Sequence, residues 1–346
     1  VPPGAVTHSV RGKRARYMIY LGLVAGFVIL LVSGDLLVRG SVALAVRLGV
    51  PALIIGLTVV AFGTSAPELV VSVRAATTGS PDLAIGNIVG SNIANVLLVL
   101  GLPALIYPTD CNQQFIGRNT CYVVGASVLF VLFCYLGPLG VWHGAILFGL
   151  IVLFLLESGR RSQQSPAENE PAEADEVEDI DGVSGLPHSP SMIGVFVFAG
   201  LIGLPFGAQL IVENGVAIAS AFDVSKAAIG LSVIAIGTSL PELATTISAA
   251  LRGHCAIAIG NVLGSNLFNI LAIMGLTSML AEVPVPESIL KYDLWIMLAA
   301  ILALVPFVIR RSMISRLPAT GFLLAYCAYI FFVFTPQRDM ANLVLN

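Results

Sequence analysis

Gly63-Thr64-Ser65-Ala66-Pro67-Glu68 lies inside a hydrophobic segment, and the chain repeats it as Gly237-Thr238-Ser239-Leu240-Pro241-Glu242. A carboxylate at the centre of a bilayer is unfavourable by roughly 3 kcal/mol on insertion scales, and such groups mark ion pathways. Two of them, placed at matching positions by a repeat, imply a cation site between the two copies.

The repeat extends well beyond this phrase. With an offset of 174 residues (242 minus 68), Val50 to Leu102 aligns without a gap on Val224 to Leu276, and 26 of those 53 positions are identical. Gly56/Gly230, Gly86/Gly260, Asn87/Asn261, Gly90/Gly264, Ser91/Ser265, Asn92/Asn266 and Asn95/Asn269 are among them. Agreement on this scale indicates duplication.

The surroundings are those of a membrane protein. Of 346 residues, 57% are hydrophobic and 11% charged, and the mean hydropathy is +0.94. Soluble domains run near a quarter charged. Apolar stretches of spanning length fall at 17–46, 51–78, 82–107, 119–136, 139–157, 192–221, 225–252, 256–281, 290–310 and 317–336, about 20 residues being enough to cross. The fold class expected is an all-α polytopic membrane protein with ten transmembrane helices. The offset maps 119–136 onto 293–310 and 139–157 onto 313–331, so each half holds five spans. Five crossings return the chain on the opposite side, and the second copy therefore enters the membrane inverted. This divides the chain into a first five-helix repeat (17–157), a hydrophilic linker (158–190) and a second five-helix repeat (191–336).

The linker is acidic, with Glu168, Glu170, Glu173, Asp175, Glu176, Glu178, Asp179 and Asp181 close together, and reads as a solvated connection. Basic residues are nearly balanced between the two membrane sides and set no orientation. No basic stripe suggests nucleic acid. Five cysteines occur without metal-ligand spacing; Cys111 and Cys121 flank one loop, where a disulfide and separate packing are both open. His143 and His254 fall in expected loops, which leaves no His at carboxylate depth.

Chemistry gathers at mid-membrane. Thr64, Ser65 and Glu68 lie near the centre of 51–78, Asn95 near the centre of 82–107, and the offset puts Thr238, Ser239, Glu242 and Asn269 at the same depth. Pro67 and Pro241 lack an amide proton and disfavour helix in the residue before them, so each Gly-Thr-Ser-x-Pro is expected to break its span. A break frees backbone carbonyls that can bind a cation. Asn87, Ser91 and Asn95 recur every four residues as one polar stripe, repeated as Asn261, Ser265 and Asn269. These are hard oxygen donors, suited to Na⁺ and Ca²⁺ rather than to Zn²⁺ or Cu⁺. The plain alternative for Ser and Asn is hydrogen bonding within and between helices.

Gly-Thr-Ser-x-Pro-Glu followed by Gly-Asn-x-x-Gly-Ser-Asn-x-x-Asn, present twice, resembles the α-1 and α-2 repeats of the calcium:cation antiporter superfamily, closest to its prokaryotic sodium/calcium exchanger branch. The resemblance implies Ca²⁺ exchanged against Na⁺ by alternating access, with 17–46 and 192–221 as a sliding pair of peripheral helices. It implies Glu68 and Glu242 as central carboxylates, with Thr64, Ser65, Ser91, Thr238, Ser239, Ser265 and the carbonyls of Ala61 and Ala235 completing the sites and Asn95 as an amide ligand. Asn269 stands where several characterised sodium/calcium exchangers carry aspartate. With two ionised glutamates the pocket balances one Ca²⁺ or two Na⁺, and a third Na⁺ would leave uncompensated charge in a low-dielectric site. H⁺ or K⁺ in place of Na⁺ is the alternative coupling. No enzymatic activity and no resident cofactor are expected, only transported Ca²⁺ and Na⁺. The expected location is multi-pass in the plasma (inner) membrane.

Overall fold

A computed structural model of the protein describes residues 4–113, 115–164, 186–187, 189–221 and 235–334. In chain order its helices are α1 (Gly4–Leu48), α2 (Ala52–Thr64), α3 (Ala66–Thr77), α4 (Pro81–Ile106), α5 (Ile116–Leu136), α6 (Val141–Gln164), α7 (Pro190–Ala221), α8 (Ala235–Thr238), α9 (Leu240–Leu251), α10 (Cys255–Leu280), α11 (Ile289–Ile309) and α12 (Arg316–Phe334). Eight described helices are long and apolar enough to cross a membrane, and α2 with α3 forms a ninth, broken span bent by 46°. The expected span 225–252 is described only from residue 235 onward, and residues 165–185 of the acidic linker lie outside the described residues.

The break falls where proline chemistry places it. Ser65 leaves helical geometry (φ −83°, ψ 6°) and α3 restarts at Ala66 with Pro67 in its first turn. Pro67 has no N–H to return to the Gly63 carbonyl, so helical bonding cannot run through this point. Ser239 (φ −88°, ψ 3°) and Pro241 repeat the arrangement between α8 and α9.

α1 and α7 lie along one another outside the main bundle. Their backbones touch because the crossing is glycine: a Cβ on Gly207 would stand 2.9 Å from the Leu30 nitrogen and 3.0 Å from the Gly26 carbonyl oxygen. Close approach of this kind replaces the hydrophobic effect as a packing force between helices in lipid. Leu30, Leu37, Val38, Leu204, Ala208 and Ile211 form an apolar cluster with Val60, Ala244 and Ile257. A separate core runs through α4, α5, α6, α10 and α11, including Ile85, Ile93, Phe130, Leu147, Leu267 and Met297.

Inside that core α2 and α10 meet at Gly56 and Gly260, where a Cβ on Gly260 would be 2.7 Å from the Leu53 carbonyl oxygen. α4 and α10 each contain a π-helical turn, Asn95–Leu100 and Phe268–Ile273. One extra residue per turn re-aims the side chains that follow, and such turns are frequent at functional sites.

Two details differ from the sequence reading. Two short strands occur, β1 (Thr109–Asp110) and β2 (Met313–Ile314), paired antiparallel, because backbone outside the helices has to satisfy its own hydrogen bonds. His143 belongs to the first turn of α6 rather than to a loop; its Nδ1 accepts the Gly140 N–H at 3.2 Å and its ring packs on Phe133. Of the two alternatives left open for Cys111 and Cys121, the structure has the separate one: both are free, one buried and one exposed, and burial, with Asp110 and Cys255 nearby, pushes the Cys111 thiol up to about 12.

Candidate cation site

Glu68 and Glu242 occupy the first turns of α3 and α9, directly after the breaks. They are 1% and 0% exposed and near enough to interact electrostatically. A carboxylate in a first helical turn also faces the positive end of the helix dipole.

The broken helix of one half reaches the carboxylate of the other. Ser65 donates its hydroxyl to Glu242 Oε1 at 3.0 Å. Next to it Thr64 donates to Asn261 Oδ1 at 3.2 Å and lies 3.5 Å from the Ser265 hydroxyl. The Ala61 carbonyl accepts the Ser65 N–H at 3.0 Å, with the Thr64 hydroxyl 3.3 Å away. Thr64, Ser65, Ser265 and Glu242 thus form one buried cluster beside Ala61.

The amides brace these groups in matched pairs. Asn95 donates to Asn266 Oδ1 at 3.3 Å and Asn269 donates to Asn92 Oδ1 at 3.5 Å. Asn87 donates to the Glu68 carbonyl and to the Ser72 hydroxyl, while Asn261 donates to the Glu242 carbonyl and the Thr246 hydroxyl. Exchanging the halves by the repeat offset converts each of these bonds into its mate. Asn92, Asn266, Asn87 and Asn261 were visible in the repeated motif, but their work as braces depends on contacts between elements distant in sequence.

Five oxygens in this region are buried and make no hydrogen bond among the described residues: Glu68 Oε2, Glu242 Oε2, Asn95 Oδ1, Asn269 Oδ1 and Ser239 Oγ. Unpaired buried oxygens are unfavourable by about 1–3 kcal/mol each, and acceptor oxygens left together are the donor set a hard cation takes. Among the described residues no group of three His, Cys, Asp or Glu could hold a metal, so any ion here is met by two carboxylates and neutral oxygen. Ser91 and Thr238 are buried on α4 and α8, and Ala235 begins α8.

One ionic contact was not anticipated. Asp35 on α1 binds Arg252, just past the end of α9, through Oδ1, and lies 3.6 Å from Arg39 on its own helix. Nothing local in the sequence connects two residues this far apart.

Comparison with known proteins bears on both halves. The sequence profile of the family described as "Sodium/calcium exchanger protein" matches residues 18–158 and 192–335. The chain is 36% identical to the putative antiporter CaxA of Alkalimonas amylolytica, covering 90% of this chain and 98% of that protein. With the sodium/calcium exchanger MaX1 of Methanosarcina acetivorans it shares 30% identity over 91% of this chain and 98% of the relative. Its fold superposes on the sodium-calcium exchanger NCX_Mj, in a crystal soaked with Na⁺ and Sr²⁺, with a TM-score of 0.78 and 28% identity over 91% of this chain and 98% of that one. The profile covers both copies of the duplicated motif and the relatives are matched almost end to end, which makes this integral membrane protein a member of the sodium/calcium exchanger family.

Proposed function

We propose that the protein is a secondary antiporter that moves Ca²⁺ against Na⁺ by alternating access at the buried site between Glu68 and Glu242. The observation that carries this reading is the set of five unpaired oxygens, drawn from both halves and including both carboxylates. Ca²⁺ takes six to eight oxygens and tolerates irregular geometry, and Na⁺ is likewise a hard cation. Thr64, Ser65, Ser91, Thr238, Ser239, Ser265 and the carbonyls of Ala61 and Ala235 complete the proposed ligand set. The named activities of the relatives agree with it.

The halves are inverted five-helix repeats in this proposal, with the tenth span formed by 225–252. Support comes from the exchange of hydrogen bonds under the repeat offset. Ions enter from alternate sides as α1 and α7 slide over the bundle; their glycine crossing suits a pair that moves as one body, over the apolar contact it shares with α2, α9 and α10. Coupling follows from charge. Two carboxylates and two amides at Asn95 and Asn269 offer two negative charges, which one Ca²⁺ or two Na⁺ neutralise. A third Na⁺ would stand uncompensated in a medium of low dielectric.

The test is flux in liposomes of purified protein. ⁴⁵Ca²⁺ uptake should follow an outward Na⁺ gradient, and imposed membrane potential should leave its reversal unchanged. Uptake driven by K⁺ or H⁺ but not by Na⁺ would reassign the coupling ion, and voltage-dependent reversal would defeat the two-charge argument.

A further inference from the structure

Where α4 leads into α5 and α11 leads into α12, a recess of about 510 Å³ opens beside Asn112, Phe115, Ile116, Arg118, Val308 and Arg311. Both of its ionisable lining residues are arginines. Arg118 lies over the Phe115 ring, 5.0 Å from its centroid, and its Nε is buried without a hydrogen bond among the described residues. No described carboxylate forms an ion pair with Arg118 or Arg311. The acid nearest in sequence, Asp110, turns its carboxylate to the Asn112 N–H at 2.8 Å.

Two further features converge on the same place. Phe115 (φ 66°) and Arg311 (φ 49°) are the non-glycine residues with left-handed backbone among the described residues, and both line the recess. Bulky side chains adopt that conformation only where surrounding structure holds them there. Gly117 and Arg118 add the first backbone N–H groups of a 21-residue helix, the end that attracts anions. The spans α5 and α11 start at Ile116 and end at Ile309, so the recess sits at a membrane boundary. Exposed Arg310 and Arg316 add positive charge at that boundary.

We propose that this recess binds the phosphate of an anionic phospholipid. Arg118 and Arg311 grip the phosphate oxygens, for which the planar guanidinium fork is well matched. Phe115, Ile116 and Val308 meet the first carbons of the acyl chains. The lipid would join α5 to α11, one from each half, beside the β1–β2 pairing that already links their loops.

Purified protein in bilayers of phosphatidylcholine, with and without phosphatidylglycerol, tests this through the unfolding midpoint and the lipids retained in native mass spectrometry. Phosphatidylglycerol should raise the midpoint and be retained preferentially. Arg118→Gln and Arg311→Gln should each weaken that preference about fivefold, the worth of one basic residue at an anionic surface, and Arg118→Lys should keep most of it. Arg311 is exposed, so its variant reports even if Arg118→Gln folds poorly. An equal preference in the double variant, or none in the wild type, overturns the proposal. So does inorganic phosphate that reproduces the shift in pure phosphatidylcholine, which would make the ligand a free anion. A preference that emerges only after the acids between Glu168 and Asp181 are replaced by Ser would make that segment the occupant instead, and also overturns it.

Discussion

The two broken helices carry the same residues and hold them differently. In the first half Ser65 spends its hydroxyl on Glu242 Oε1, whereas the hydroxyl of its mate Ser239 makes no hydrogen bond among the described residues; one oxygen of each carboxylate, Glu68 Oε2 and Glu242 Oε2, is unpaired there. The same contrast recurs on the peripheral helices. Asp35 reaches Arg252 across to the end of α9, but its mate Gln209 turns to Glu213 one turn along its own helix, at 2.7 Å. Duplication supplied two equivalent serines, and among the described residues packing brings only the first of them to the opposite carboxylate. For the proposed antiporter such inequality would distinguish the two halves when the ion is released.

The sharpest way to break the comparison is to remove each carboxylate separately. Glu68→Gln and Glu242→Gln should both reduce sodium-driven ⁴⁵Ca²⁺ uptake by at least about a hundredfold, since each deletes a unit charge beside a divalent ion, while circular dichroism and unfolding midpoints stay near wild type. Wild-type flux in either variant would remove that residue from the site. Asn269→Asp should convert voltage-independent exchange into exchange whose reversal follows the membrane potential, read as a shifted reversal potential. Asn95→Asp should do the same if the halves are equivalent toward Na⁺.

Smaller effects sharpen the asymmetry. Ser65→Ala deletes a hydrogen bond to a carboxylate, worth about 1.5–3 kcal/mol, and should shift apparent Ca²⁺ affinity about tenfold or more, whereas Ser239→Ala should shift it less. Equal shifts would mean that the bonded and open states exchange freely during binding. The smallest expected change is at Asp35 and Arg252, whose side chains remain 30% and 28% exposed. A double-mutant cycle with Asp35→Asn and Arg252→Gln should give about 0.5–1 kcal/mol of coupling in stability. Zero coupling would show the contact to be incidental to how α1 rides on α9.

Much of the site was legible from residues because its elements are local. Pro67 and Pro241 account for breaks within the Gly-Thr-Ser-x-Pro stretches through a missing N–H, and the breaks fall at Ser65 and Ser239, one residue ahead of the pre-proline positions Ala66 and Leu240, which are helical. Glutamates one turn beyond and asparagines at intervals of four residues could be placed by depth alone. What stayed hidden joins segments far apart in the chain: Asn95 to Asn266, Ser65 to Glu242, Asp35 to Arg252. Periodicity reports which face a residue occupies and nothing about which distant face meets it. His143 was read as a loop residue although it lies within the apolar stretch 139–157, because Gly137, Pro138 and Gly140 just ahead of it carry a loop signal; α6 begins at Val141.

By itself the sequence determined the membrane class, the duplication, the positions of both breaks and the hard-oxygen character of the site, all of which follow from composition and short-range backbone chemistry. Only the tertiary structure decided which hydroxyl meets which carboxylate, which oxygens remain unpaired and which arginines find an acid. Those outcomes depend on how whole helices cross. The crossings are set by small residues such as Gly56, Gly207 and Gly260, at which backbones come within contact distance, and a repeat identical in its motif can pack unequally because the residues around the two copies are not the same.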